Sequence, residues 1–261
     1  MSGLLQVRGL TKSFGGVRAV DGVSFDLAAG EMLALIGPNG AGKSTCFNMV
    51  GGQLAPDSGS VMLGGSELVG KKPHAIWRLG VGRTFQIAET FGSLTVIENV
   101  QLALLSHAHR LLRFWQPART QFRAEALALL DSVGMADAAE RAMGVLAYGD
   151  VKRVELAIAL ANAPRLLLMD EPTAGMGPAE RHLLMALTKR LACERRIGVL
   201  FTEHSMDVVF AHADRMLVLA RGMLIAGGAP EVVRDDPKVR EVYFGMGTTF
   251  APDAHRERAR A

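Results

Sequence analysis

The spacing of apolar residues changes near residue 95. Before it, Val23, Phe25 and Leu27 alternate with polar or small residues, the period of a strand with one buried face. Met32–Ile36 is a short unbroken apolar run, which predicts a central strand covered on both sides. Pro56-Asp57-Ser58-Gly59 carries turn chemistry, and Val61-Met62-Leu63 before Gly64-Gly65 predicts another short strand. Strands this closely spaced predict an antiparallel sheet lying beside the central strand.

From about residue 95 to 165 the period is helical. Thr95 and Glu98 have the spacing of a capping box, and Leu102, Leu105, His109 and Leu112 follow at helical intervals. A second helix is predicted over Phe122–Val133, stopping before Gly134, and a third from about Asp150 to Ala163, stopped by Pro164. Leu166–Met169 and Ile197–Phe201 are two further buried-strand candidates. The helix predicted from Pro178 to about Cys193 between them completes a parallel βαβ unit. Met216–Ala220 and Met223–Ala226 form a hairpin turning at Arg221-Gly222, and Asp236-Pro237 opens a last short helix. The segment from Ala251 onward is polar.

Composition narrows the class without choosing a function. At 261 residues and 49% hydrophobic, the chain is long enough for one large core. No apolar run reaches the ~18 residues of a membrane span, and the start lacks the basic and apolar regions of a signal peptide. Two cysteines, Cys46 and Cys193, make no disulfide framework, so a globular protein of the cytosol is expected. Twenty-nine basic against 26 acidic residues leave a net charge of +3, too small to argue for a nucleic-acid partner.

Candidate chemistry begins with Gly37-Pro38-Asn39-Gly40-Ala41-Gly42-Lys43-Ser44, which fits G-x-x-x-x-G-K-[ST] between a strand and an apolar helical stretch. Glycines there let backbone N–H groups converge on an anion, and the following helix adds its positive end. Lys43 is placed to reach the β- and γ-phosphates of a nucleoside triphosphate, and Ser44 to put a hydroxyl on Mg²⁺. The strand 166–169 ends in Asp170-Glu171, a pair suited to the metal shell and to a general base, and His204 follows the strand 197–201 at a strand tip.

In this order the residues resemble the ATP-binding cassette ATPases, the motor subunits of membrane transporters. The resemblance rests on the Gly37–Thr45 cradle, Thr84-Phe85-Gln86 in the Q-loop position, and Leu146-Ala147-Tyr148-Gly149-Asp150 in the signature position. Asp170-Glu171-Pro172-Thr173 and Thr202-Glu203-His204 complete it, over essentially residues 4 to 245. It implies an α/β fold: a P-loop NTPase core with a mixed sheet, an N-terminal antiparallel β subdomain and an inserted α-helical subdomain. One domain over 1–245 is implied, with β subdomain and core at about 1–86 and 165–245, the helical part at about 87–164, and a polar tail at 246–261.

The resemblance also implies ATP and Mg²⁺. Phe14 would stack on adenine, and Gly37 through Thr45 would hold the phosphates. Ser44, Gln86 and Asp170 would surround the metal; Glu171 would be the catalytic carboxylate, Gln86 the contact to the lytic water and His204 the γ-phosphate sensor. Ala147, Tyr148, Gly149 and Asp150 would present a helix N-terminus to the nucleotide of a second ATP-binding subunit, closing a head-to-tail dimer. Integral membrane permease subunits and, indirectly, a periplasmic or extracellular substrate-binding protein are the implied partners. They would hold the chain on the cytoplasmic face of the plasma membrane.

Two positions depart from the family pattern: Ala147 stands where the signature usually has Ser, and Gly177 where an Asp is usual. Gly15-Gly16, Val81–Gln86, Leu94–Asn99, Leu146–Asp150 and Val242–Gly245 are similar to the ATP subunits of branched-chain amino-acid importers, the Liv type. A lipopolysaccharide-type extraction motor and a soluble ATP-driven assembly factor are the alternatives. The stretch 106–123 holds Arg110, Arg113, Arg119 and Arg123 with Phe114, Trp115 and Phe122. It reads as a solvated helical hairpin or as a contact with lipid headgroups or the membrane subunit.

Overall fold

The computed structural model describes residues 3–84, 90–108 and 121–244. Two sheets form the frame. β1 (Leu5–Phe14), β2 (Val17–Leu27), β4 (Ser58–Leu63) and β5 (Ser66–Glu67) make an antiparallel sheet in the order β2-β1-β4-β5. The second sheet runs β10-β9-β3-β8-β7-β6, with β3 (Met32–Ile36), β6 (Val81–Thr84), β7 (Leu166–Asp170), β8 (Gly198–Thr202) and β9 (Arg215–Ala220) parallel. β10 (Met223–Gly228) closes one edge antiparallel to β9.

β3 explains how its unbroken apolar run is used. Met32, Ala34 and Ile36 pack into one core with residues of the helices α3 (Val96–His107), α4 (Arg123–Ser132), α5 (Tyr148–Leu160) and α6 (Pro178–Arg195). Leu33 and Leu35 face the other way, into a core with α1 (Lys43–Val50) and the antiparallel sheet. A strand buried on both faces has no polar side to show, so the alternation is hidden in the sequence. Because β3, β7 and β8 are parallel, the loops leaving their C-terminal ends open on one edge of the sheet, where open α/β sheets place their ligands.

The expected antiparallel sheet, βαβ unit and hairpin are all present. β2 buries Val23, Phe25 and Leu27 as the alternation predicts. At α3, Thr95 Oγ1 accepts from the Glu98 N–H at 3.3 Å, and the Glu98 carboxylate accepts from the Thr95 N–H at 2.9 Å. His109 and Leu112 lie outside the described residues.

Several boundaries differ. β4 already begins at Ser58, so the turn is confined to the residues before it. α5 starts at Tyr148 rather than Asp150 and ends at Leu160, a turn short of Pro164. Its last turn is closed by the Ala161 and Ala163 N–H groups on the Ile158 and Leu160 carbonyls. Short helices α2 (Pro73–Arg78), α7 (Met206–His212) and α8 (Pro230–Asp235) were not signalled by periodicity, being too short to show a repeat. α9 (Pro237–Phe244) starts as expected, with Asp236 Oδ1 accepting from the Lys238 N–H at 2.8 Å.

Candidate nucleotide site

The glycine-rich loop between β3 and α1 is squeezed from behind by two backbones. A Cβ on Gly37 would stand 2.1 Å from the carbonyl oxygen of Leu219, and one on Gly42 2.2 Å from that of Ala19. Neither contact is possible for any other residue. Gly222, in the β9–β10 turn, donates its N–H to the Ala41 carbonyl at 3.0 Å, and its own carbonyl accepts from Asp21 at 2.8 Å. The loop is thus braced by both sheets.

α1 begins without a side-chain cap: its N-cap is Gly42, in a left-handed conformation with φ 101°. The N–H groups of its first turn therefore have no capping oxygen from that residue, the arrangement in which a helix N-terminus receives an anion. Lys43 lies 7% exposed, its ammonium donating to the carbonyls of Gly37 at 2.8 Å and Pro38 at 3.1 Å. Burial pulls this ammonium below the ordinary lysine value of 10.5, against the raising influence of Glu171 and then Asp170.

Asn39, Gly40, Ala41, Gly42, Lys43, Ser44 and Thr45 line a cavity of about 230 Å³ together with Ala19, Glu171 and His204. The two residues from distant parts of the chain arrive by sheet register. Asp170 and Thr202 are partners at the ends of β7 and β8. The Thr202 hydroxyl donates to Asp170 Oδ1 at 2.7 Å and accepts from the Glu171 N–H at 3.0 Å. Glu171 itself adopts φ 46°, a left-handed conformation that costs a non-glycine residue on the order of 1–2 kcal/mol. Its carboxylate then meets the His204 ring, Oε1 to Nε2, at 2.8 Å. An ionised carboxylate only accepts, so the imidazole supplies the hydrogen.

The remaining expected residues are placed elsewhere. Asp170 is held one residue behind Glu171, with Oδ2 4.0 Å from the Arg83 guanidinium. Phe14 ends β1, half exposed, with the Lys12 ammonium 5.8 Å from its ring centroid. Ala147 is the N-cap of α5, in extended conformation and without a side-chain hydrogen bond; Tyr148, Gly149 and Asp150 form that helix's first turn. This turn lies against the residues that follow Glu171, where a Cβ on Gly149 would be 3.2 Å from Glu180 Oε1. Gly177 caps α6, and the Glu180 carboxylate accepts from its N–H at 3.2 Å. Gln86 lies outside the described residues, as does most of the 106–123 stretch. Cys46 is fully buried in α1 and burial pushes its thiol up to about 12, so it packs rather than reacts.

Four residues of this edge have no role assigned from the sequence: Arg83, Thr173, Arg181 and Glu203. Arg83 donates to Asn48 Oδ1 at 2.9 Å and lies 5.1 Å from the Phe47 ring centroid, so it joins α1 to Asp170. Glu203 stands in the Thr202-Glu203-His204 run, but nothing in the sequence gives it a role of its own.

A family model described as ABC transporter matches residues 20–174, and one described as branched-chain amino acid ATP-binding cassette transporter matches residues 223–245. The chain is 39% identical over 249 residues to the high-affinity branched-chain amino acid transport ATP-binding protein BraF of Pseudomonas aeruginosa, covering 93% of this chain and 98% of that one. Identity to the corresponding protein LivG of Escherichia coli is 37% over 253 residues, with the same two coverages, 93% and 98%. Among solved structures, the ADP conformation of MJ1267, an ATP-binding cassette of an ABC transporter, superposes with a TM-score of 0.84 at 31% identity, covering 94% of this chain and all of that one. The dimeric post-hydrolysis state of the ATP-binding cassette MJ0796, bound to ADP and Pi, gives 0.73 at 26% identity, covering 87% and 98%. The chain belongs to the ABC transporter family, as its ATP-binding, ATP-hydrolysing subunit. Among the described residues no helix is long and apolar enough to cross a membrane.

Proposed function

We propose that the chain hydrolyses ATP to drive a membrane importer of branched-chain or related amino acids. The observation that carries the chemistry is the single cavity in which the glycine-rich loop, Lys43, Glu171 and His204 converge. Its lining offers backbone N–H groups and a cation for the phosphates on one wall, and a carboxylate with its imidazole partner on the other. Lys43 neutralises the β- and γ-phosphates, Glu171 orients the attacking water and accepts its proton, and His204 holds the Glu171 carboxylate while facing the γ-phosphate. Phe14 offers its exposed ring to the adenine. Gln86 is assigned to the lytic water and metal on sequence grounds.

Mg²⁺ fits this donor set. Ser44 and Asp170 supply hard oxygen atoms, and Mg²⁺ is commonly held by one or two such groups plus substrate phosphates. When bound, the ion supplies charge stabilisation of the departing phosphate. Thr202 and Arg83, on either side of Asp170, orient its carboxylate.

The relatives' names support import of branched-chain amino acids over lipopolysaccharide extraction or soluble assembly work. The uncapped N-terminus of α5, Ala147 to Asp150, is a second anion-receiving helix end. It suits the nucleotide of another ATP-binding subunit in a head-to-tail pair, a copy or a sister. Permease subunits would hold the pair at the membrane's inner face and receive substrate from a binding protein. The helices α3 to α5, within about 87–164, make a helical subdomain on the core, and 246–261 a tail. Glu171→Gln tests the reading: it should still bind ATP, lose hydrolysis and accumulate as an ATP-bound dimer by light scattering. Hydrolysis at the parent rate would refute it.

A further inference from the structure

Residues 171–177, after β7, and 203–205, after β8, carry the two groups that meet across the cavity. They are tied together through Glu203, Thr173 and Arg181, none of which lines the cavity. Glu203 is 5% exposed. Its Oε1 accepts the Thr173 N–H at 3.0 Å and the Thr173 hydroxyl at 2.6 Å, while Oε2 accepts the N–H of His204 at 3.1 Å. One carboxylate therefore spans from the loop of Glu171 to the backbone of His204. Thr173 is itself 1% exposed, so neither partner has solvent as an alternative.

Arg181 makes a second tie further out. Its Nε donates to the Met176 carbonyl at 2.8 Å and its Nη1 to the Ser205 hydroxyl at 2.9 Å. The His204 side chain, by contrast, is about half exposed (51%), so packing does not hold it. Its distance from Glu171 is set by where its backbone is pinned.

We propose that Glu203 is a positioning residue for ATP hydrolysis, which through Thr173 fixes His204 at the distance where its imidazole meets Glu171. A buried carboxylate is costly unless its lone pairs are satisfied, and here all three of these donors come from the two loops it joins. The inference rests on the catalytic reading of Glu171 and His204 given above.

The test uses the full chain with Thr173→Val, which removes the hydroxyl donor and keeps the N–H, alone and combined with His204→Ala. Thr173→Val should lower kcat by about 10-fold, the scale of a slightly misplaced catalytic group, with KM and fluorescent-ATP affinity within about twofold. Thr173→Ser, which keeps the donor, should restore kcat. In the His204→Ala background Thr173→Val should cost nothing more, because the residue it acts through is gone. Multiplied losses in the double variant, or parent kcat in Thr173→Val, would overturn the proposal while leaving the His204→Ala defect intact. Parent kcat in His204→Ala itself would overturn the underlying pairing, and the positioning role with it. If Thr173→Val melts too low to assay, Glu203→Gln serves instead. Its amide cannot accept on both sides, and the same loss and the same non-additivity are expected.

Discussion

Glu171 and His204 touch at 2.8 Å although 33 positions separate them in the chain. The contact follows from Asp170 and Thr202, register partners at the ends of adjacent parallel strands. From that point the two chains leave the sheet together, and each step outward adds a tie: 170 to 202, 171 to 202, 173 to 203 and 171 to 204. The Glu171–His204 pair is thus built on the paired ends of two strands rather than on two independent loops.

Lys43→Ala removes the one cation that lines the cavity among the described residues. A hydrogen bond to a charged group is worth about 1.5–3 kcal/mol, so ATP affinity should fall by roughly 10- to 150-fold. Titration with a fluorescent ATP analogue measures it; unchanged affinity would remove the phosphate assignment.

Ala147→Ser should be a gain. Ala147 already has the extended conformation of an N-cap, φ −63° and ψ 150°, and lacks only the oxygen. A serine cap in place of alanine is worth about 0.5–2 kcal/mol, which corresponds to a Tm rise of roughly 1–8 °C. Calorimetry without nucleotide reads the cap. A second effect, tighter ATP-dependent dimerisation, would come from the added hydroxyl donor at this helix end.

A pH dependence is expected far from the cavity. His212 Nε2 lies 3.1 Å from His182 Nδ1, and His182 Nε2 is 3.3 Å from Asp207. Burial first, then His182 and Lys189, hold His212 below the ordinary 6.5, with Asp207 opposing. The folded chain therefore takes up this proton less readily than the unfolded one. The stability contributed by neutral His212 is full above 6.5 and is lost as pH falls from there toward the folded value. His212→Gln should flatten the fall in Tm between about pH 7.5 and pH 5.5; a parallel fall in both proteins would exclude the pair as its source.

Much of the frame was legible because it is local. The runs at 32–36 and 166–169, the Thr95 and Glu98 reciprocal cap and the turn at Arg221-Gly222 each carry their signal within a few residues. The glycine-rich loop was legible for the same reason. Its glycines at 37 and 42, however, are required by Leu219 and Ala19, which no local pattern reveals. Thr173, Glu203 and Arg181 were not legible, since their roles exist only once β7 and β8 pair. β1 was missed because three irregularities in its register with β2 break the alternation. Gly177, read as a departure from the family, gives α6 no side-chain cap; Glu180 accepts from the Gly177 N–H, which is not the bond an aspartate at 177 would make.

The hairpin turn pressed against the glycine-rich loop has a consequence for how such chains diversify. Arg221 and Gly222 sit just ahead of the segment 223–245 that distinguishes this branch, yet Gly222 is bonded to the Ala41 carbonyl and Leu219 backs onto Gly37. The segment 223–245 is thereby tethered, through the turn that precedes it, to the glycine-rich loop. Lengthening that turn by a residue would be felt by bound nucleotide as directly as an edit to the loop itself, so variation in this segment is free only beyond the point where the brace ends.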